Sequence, residues 1–350
     1  LHDLIHLYGR EVAEAAYREA VRARAFTEGM INSHSIDCDL EKSVRIVGAH
    51  SAKALDRLKR ELPAMQRELP ATRLLSQGEL ATFIQSPAYM GGMLIPDAAT
   101  LNPAKYQFGL AKIAQKIGVK LLQRARMVDV RPNGSGLSVQ VDSIGAIKTS
   151  HLLLATNAES GTFSENRLLR NLARSLTAVP AFGVVSKPIL PEQLDGIIKG
   201  ARIFGDTRKV LNYFALLPGG RRLIYSARAG FLEGTTADKA GRIVADFEDR
   251  FPGIRGIGVD YFWSGRFAIT GDLIPHTGSA GNVHWMVGCC GTGITMASYL
   301  GHKVARRILR ANDAHTVFEL PLPQMPSWRR HPGLFGAAIR VYRVYDKHMN

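Results

Sequence analysis

Residues 281–308 read GNVHWMVGCCGTGITMASYLGHKVARRI. Asn282 to Val287 has the β-branched and aromatic content of a short buried strand, and behind it Ile294, Ala297, Leu300, Val304 and Ile308 recur at helical spacing. Between the two, Gly288-Cys289-Cys290-Gly291-Thr292-Gly293 is a strand-to-helix turn with little side-chain bulk. Glycine lets a backbone reach positive φ and approach a ligand closely. The unpaired N–H groups of a helix's first turn, at the positive end of its dipole, favour an anion. Lys303, Arg306, Arg307 and Arg310 gather toward the opposite end, where cations suit the dipole. Two readings fit the turn: a site for an anion or an electron-rich ring, or a close helix–strand packing turn with no ligand. Its order G-x-x-G-x-G is not the dinucleotide fingerprint G-x-G-x-x-G.

The totals set the frame. A chain of 350 residues can bury a large core, and its length suits two domains. With 46% hydrophobic and 21% charged residues, the composition is that of an ordinary soluble protein. No stretch approaches the roughly 20 apolar residues of a membrane helix. Leu1 to Arg24 is too charged for a signal peptide. Three cysteines, two of them adjacent, make neither a disulfide framework nor a zinc site, so a reducing cytoplasm is the expected compartment. The net charge of +15 raises a nucleic-acid reading. The basic residues are dispersed among acids, however, and no helix-turn-helix, zinc-finger or RNA-recognition signature occurs. A solvated basic surface with some affinity for anionic membranes is expected instead, and no nucleic-acid partner.

Along the chain no internal repeat appears. The opening segment LHDLIHLYGREVAEAAYREAVRAR begins inside an amphipathic helix with no cap before it. CDLEKSVRIVGAH alternates like a strand, and Ser51 to Leu69 reads as a helix. Ser76-Gln77-Gly78-Glu79 is a capping box, and Asn102-Pro103 starts a helix that Gly118 stops. VKLLQ, RMVDVRP, LSVQVDS and AIKTSHLLLAT follow as expected strands. In the last, the continuous run Leu152-Leu153-Leu154 predicts a strand buried on both faces. FGVVSKPI, NYFALLP and RRLIYSAR are further strands, the latter two joined as a hairpin by Pro218-Gly219-Gly220, and a helix covers about Thr236 to Phe251. Met90 and Met93, flanking Gly91-Gly92, read as core. The interleaving predicts an α/β or α+β class with two sheets.

Three segments together, HLLLATNA, WSGRFAITGDLIPHTG (Trp263 to Gly278) and NVHWMVGCCGTGITMASYLG, resemble flavin-contacting parts of the D-amino-acid oxidase and glycine oxidase (DAO) superfamily. IDCDL, LNPAKYQFGLAKIAQKIGV, VLNYFALLPGGRRLIYSAR and AIRVYRVYDKH are similar to its γ-glutamylputrescine oxidase-like branch. The resemblance runs in consistent order along nearly the whole chain. It implies an FAD enzyme with a glutathione-reductase-type nucleotide domain and an antiparallel substrate domain. The implied division gives residues 1–34, 96–164 and 263–312 to the FAD-binding domain, 35–95 and 165–262 to the substrate domain, and 313–350 to a C-terminal tail.

Carried over position by position, Val128 falls where family members contact the adenosine portion through the backbone. Ala155 and Thr156 end the strand that passes the phosphate and ribitol. Gly288, Gly291, Thr292, Gly293 and Ile294 fall beside the pyrimidine edge of the flavin, where a helix N-terminus favours the charge of the reduced ring. The implied reaction removes hydride from the carbon beside an amine, with oxygen or a quinone-linked chain as the final acceptor. Tyr213 and Arg228 are the substrate-contact candidates; a sheet aromatic and a solvated arginine are their alternative reading.

There are departures from the pattern. Cys290 and Thr292 stand where relatives commonly have serine and histidine, and Gly265 replaces the cysteine that tethers FAD in sarcosine-oxidase-like members, which implies a non-covalent cofactor. Cys289 and Cys290 read as small buried residues, not nucleophiles. No strand-G-x-G-x-x-G-helix unit occurs, so the nucleotide domain is expected to be N-terminally incomplete. Two other classes therefore stay open: an impaired remnant or subunit that needs a separate nucleotide-binding piece, and a basic surface-binding protein without catalysis.

Overall fold

The computed structural model describes residues 1–162, 166–195, 197–208, 212–227, 235–330 and 332–348. The first third of the chain forms α1 (His2–Ser33), β1 (Glu41–Ala49), α2 (Ala52–Glu68), β2 (Arg73–Ser76), α3 (Gln77–Ala81), β3 (Gly91–Thr100) and α4 (Pro103–Lys116). The middle forms β4 (Met127–Asn133), β5 (Gly136–Val141), β6 (Gly145–Thr149), β7 (Leu152–Leu154), α5 (Arg167–Arg174), β8 (Thr177–Ser186), α6 (Pro191–Asp195), β9 (Ile203–Asp206), β10 (Asn212–Leu216) and β11 (Leu223–Ala227). The last third forms α7 (Thr236–Arg250), β12 (Val259–Ile269), β13 (His276–Ala280), β14 (Val283–Val287), α8 (Gly293–Ile308), α9 (Ser327–Arg330) and α10 (Pro332–His348).

Local chemistry sets most helix ends. The Ser51 hydroxyl accepts from the Ala54 amide to start α2, Ser76 and Glu79 form a reciprocal capping box on α3, and Thr235 and Asp238 do the same on α7. Asn102 accepts from the amides of Ala104 and Lys105 with Pro103 at the first helical position of α4, and Gly118, at φ 92°, lies just past its end. Each such cap contributes about 1 kcal/mol.

The largest sheet has eight strands in the order β12-β8-β11-β10-β9-β1-β3-β2, antiparallel throughout except where β1 runs parallel to β9. Strand side chains alternate between faces. Register neighbours Ile46, Phe204, Phe214, Tyr225, Val184 and Phe262 share one face, and α7 covers it with Ile243 and Phe247. Tyr225 stacks on Phe247 at 4.2 Å and Phe204 on Phe214 at 4.7 Å between ring centroids. Burying each large side chain there stabilises the fold by roughly 1.5–3 kcal/mol, so this face is the main core. The opposite face has a different row: Val47, Gly205, Tyr213, Ser226, Gly183 and Trp263.

A three-stranded sheet, β13-β14-β7, pairs β14 with β7 in parallel and with β13 antiparallel. The antiparallel sheet β4-β5-β6 packs against it through Val130, Leu137, Val139, Leu154 and Val283. Helices α1 and α8 pack together through Ala16, Ala23, Met296 and Leu300, with Phe26 edge-on to Tyr299 at 5.9 Å. The class is mixed α/β, as the interleaved pattern predicts.

Four expectations are corrected. Val119–Gln123 is not a strand: it has no ladder partner among the described residues, and Leu122 is 57% exposed. AIKTSHLLLAT is not one strand but two, β6 and β7, which belong to different sheets. The apolar run Leu152-Leu153-Leu154 is not covered on both faces: Leu154 is buried, while Leu153, which points to the opposite face, is 36% exposed. Met93 is fully buried as core, whereas Met90 is 46% exposed.

The loop between β12 and β13 is held by a buried polar cluster. His276 Nε2 lies 2.9 Å from Asp272 Oδ2, its Nδ1 lies 3.1 Å from the Leu320 carbonyl, and the Tyr8 hydroxyl donates to Asp272 at 2.6 Å. Burial pushes the Asp272 carboxyl up, but the His276 hydrogen bond and charge, with Tyr8, outweigh it and hold the group below its ordinary value. A carboxylate lowered on folding contributes stability that is present above its unfolded pKa and is lost as pH falls through the folded one. Replacing Asp272 with Asn is expected to cost roughly 3 kcal/mol at neutral pH, as breaking a buried pair does. Thermal unfolding from pH 7 down to pH 3 checks this: the wild-type protein's loss of stability in acid should be shallower in the variant.

Candidate functional site

Parallel strands present their carboxyl ends on the same edge, and that edge is where α/β sheets bind ligands. Leu154 of β7 sits opposite Trp285 of β14. Ala155 and Thr156, which leave β7, and Gly288, which leaves β14, therefore share an edge. Ala155 is exposed and Thr156 half-buried, with the Thr156 hydroxyl 2.8 Å from that of Ser160. Asn157 follows at φ 43°, its buried Oδ1 without a partner.

The glycines of the turn are needed for its shape. Gly288 has φ 70°, and a Cβ there would lie 2.3 Å from Thr270 Cγ2; Gly291 has φ 92°. Cys290 also takes a positive φ, 51°, and its amide donates to the Ala268 carbonyl of β12 at 3.1 Å. This bond ties the turn to the end of the longest strand in the large sheet. Both cysteines are buried, and burial, with Cys290 beside it, pushes the Cys289 thiol up to about 11. A thiol so placed stays protonated at neutral pH, in keeping with a packing role.

The helix that follows has no cap of its own. Thr292 turns its hydroxyl back to the Cys289 carbonyl at 2.7 Å, and the first turn of α8 holds no acidic residue. The Met296 amide finds the Thr292 carbonyl at 3.1 Å, but those of Gly293, Ile294 and Thr295 find no acceptor among the described residues. Gly291, Thr292 and Ile294 are exposed. The turn thus presents unpaired donors at the positive end of a 16-residue helix, which suits an anion or a ring that gains negative charge. These features fit the edge of an FAD ring, and they favour a ligand site over a bare packing turn.

Other expected positions lie further out. Val128 falls between Met127, paired with Val141, and Asp129, paired with Gln140; it is the extra residue of a β-bulge, set out of the ladder. Tyr213 is on the open face of the large sheet, 38% exposed. Arg228 lies outside the described residues. Trp263, which opens the segment WSGRFAITGDLIPHTG, is 46% exposed on the same row as Tyr213.

Comparison with known proteins settles the family. The profile of the DAO family, FAD dependent oxidoreductase, matches residues 2–307. The chain belongs to that family. A probable oxidoreductase, OrdL, of Haemophilus influenzae is 21% identical over 99% of this chain and 80% of its own length. The gamma-glutamylputrescine oxidoreductase of Escherichia coli is 22% identical over 95% of this chain and 75% of its own length. The crystal structure of glycine oxidase from Geobacillus kaustophilus superposes with a TM-score of 0.71 at 19% identity, covering 87% of this chain and 82% of that one. At that identity the superposition speaks for the DAO fold. Among the described residues no helix is long and apolar enough to cross a membrane, and no group of side chains could hold a metal ion.

In a DAO protein this turn answers to a direct change. Valine at Gly291 must adopt φ near 92°, at a cost of roughly 1–3 kcal/mol for a β-branched residue, and its side chain would crowd the unpaired amides. Gly291→Val is expected to lose FAD, read as the flavin-to-protein absorbance ratio after purification. Unchanged flavin content would place the ring elsewhere.

Proposed function

We propose that this DAO-family chain oxidises a C–N bond of an amine or amino acid, with a γ-glutamylated polyamine as the favoured substrate class and FAD held non-covalently. The observation that carries the reading is the uncapped N-terminus of α8 beside the carboxyl edge of β7. When bound, FAD supplies the hydride acceptor. The residues do the rest. Gly288, Gly291 and Gly293 keep the turn narrow, and the Gly293 and Ile294 amides, with Thr292, favour negative charge at the ring edge. Ala155 and Thr156 line the passage of the phosphate and ribitol, and the bulged backbone of Val128 meets the adenosine portion. Tyr213 and Arg228 contact the substrate from the large sheet.

This division of labour makes residues 1–34, 96–164 and 263–312 the cofactor-binding unit, and 35–95 with 165–262 the substrate unit. Holding a neutral amine in line is the main requirement of such chemistry, so no acid–base pair is assigned. Oxygen or a quinone-linked chain takes the electrons onward. The gamma-glutamylputrescine oxidoreductase likeness supports the substrate class.

Two measurements test the reading. A panel of γ-glutamylated amines, sarcosine, glycine and D-amino acids is expected to bleach the flavin absorbance of the loaded protein anaerobically; bleaching by alcohols or 2-hydroxy acids alone would contradict it. Gly265 offers no nucleophile on β12, so acid precipitation is expected to leave the yellow colour in the supernatant, and a coloured pellet would reveal a covalent link.

A further inference from the structure

Helix α10 shows an apolar stripe to solvent. Leu334, Ala337, Val341 and Val344 recur at intervals of three and four residues, so they share one side of the helix. All four are exposed, Leu334 at 53%, Val341 at 66% and Val344 at 60%. Ile339 stands on the other side, where it packs against Val179 of β8, Ile269 of β12 and Cys290 of the glycine turn, and Asp346 is buried. The helix thus spends one apolar side on the body of the protein and turns a second one away from it. Single exposed apolar side chains are normal on a surface; a continuous row of them marks an interaction site.

The charge around the stripe has one sign. From Ser327 to His348 the sequence holds Arg329, Arg330, Arg340, Arg343 and Lys347 against a single acid, the buried Asp346. Arg340 is exposed next to Val341, and Trp328 of α9, just before the helix, is 39% exposed. A tryptophan suits the headgroup level of a bilayer, where its ring meets apolar chains and its N–H stays wet. With 17 residues and several charges, α10 does not cross a membrane; its two-sided pattern is that of a helix lying in the plane of an interface. A second copy of the chain fits the stripe less well. Leu334 to Val344 spans about 15 Å at roughly 1.5 Å per residue, one helix wide, which is far less than the roughly 800 Å² that each partner gives to a stable dimer. Pairing two such helices would also set like charges together in a protein of formal net charge +15.

We propose that this side of α10 is the surface by which the protein settles on an anionic lipid bilayer. Leu334, Val341 and Val344 enter the boundary of the acyl chains, and the cations of the segment meet the headgroups. The general affinity expected from the net charge thereby gains one defined surface, and the proposal stands whether or not the chain oxidises amines. Because Ile339 on the inner side touches the cluster that holds Cys290, the bilayer lies about one helix diameter, roughly 10–12 Å, from that cluster.

Flotation of the purified full chain with vesicles tests the surface. The wild-type protein is expected to float with vesicles of equal parts phosphatidylcholine and phosphatidylglycerol and to stay in the dense layer with phosphatidylcholine alone. Raising NaCl from about 0.1 M to about 0.5 M should weaken the binding, because it shortens the screening length. Val341→Glu is expected to bind the anionic vesicles about tenfold or more weakly, as the loss of a buried valine and the gain of a charge like that of the lipid imply. Leu122→Glu changes a similarly exposed side chain after α4 and should bind as the wild type does. Absence of wild-type binding, equal binding to both kinds of vesicle, or equal binding by the wild type and Val341→Glu overturns the proposal, and so does an equal loss in Leu122→Glu. In sedimentation velocity, a dimer that Val341→Glu dissolves, without vesicle binding, would assign the stripe to a second copy and overturn it as well. Melting temperatures show whether each variant is folded; if Val341→Glu is not, Val344→Glu takes its place in the comparison.

Discussion

The parallel pairing of β14 with β7 is the constraint on which the site depends. A parallel ladder sends both chains off the same edge. Residues more than 130 positions apart, Ala155 and Gly288, therefore leave their strands together. Apart from Val128, what is proposed for the cofactor follows from that edge: the small residues after β7, the positive-φ glycines after β14, and the helix whose first amides are unpaired. An antiparallel pairing of the same strands would put the glycine turn and Thr156 at opposite ends of the sheet.

A second tie joins this edge to the large sheet. β12 pairs with β8 from Val259 to Ile269, and at its far end the Ala268 carbonyl accepts from Cys290 in the middle of the turn. Cys290 also packs with Val179 of β8 and Ile269 of β12, so its positive φ is held by packing on one side and a backbone bond on the other. A left-handed conformation costs a non-glycine residue roughly 1–2 kcal/mol, and these contacts offset it. Movement of the large sheet relative to the turn would have to break that bond. The large sheet and the turn are thus fixed with respect to each other by the chain itself.

The parts of the fold that were legible in the sequence are those decided within a few residues. Ser51, Ser76, Asn102 and Thr235 cap helices because a side-chain oxygen reaches an amide two or three positions on. Gly118, Gly288 and Gly291 take positive φ where the pattern needs a stop or a turn. The failures all concern partners far away in the chain. VKLLQ has the composition of a strand and no neighbour to pair with; Leu152–Leu154 has the apolar run of an inner strand, yet only one of its faces is covered, and Leu153 points to the other. Likewise, the turn's glycines were visible as a cluster, while the register that sets Trp263 on the row of Tyr213 runs through strands far apart in the chain. A strand's alternation tells which residues share a face, but not which face is covered.

That last distinction governs how the large sheet divides its work. One face is filled by aromatic rings under α7, where Phe204, Phe214, Tyr225, Phe247 and Phe251 are all buried. The other face forms a second, smaller core at one end, where Val47, Ala49, Met93 and Ile95 pack with Ala54, Leu58 and Met65 of α2. Across that face the rows alternate large and very small residues: Trp263 lies across Gly183, where a Cβ would come within 2.5 Å of its ring, and Gly205 separates Val47 from Tyr213. Gly183 is small because the Trp263 ring occupies the space that its Cβ would need, so close packing, and not an empty face, is what its size serves.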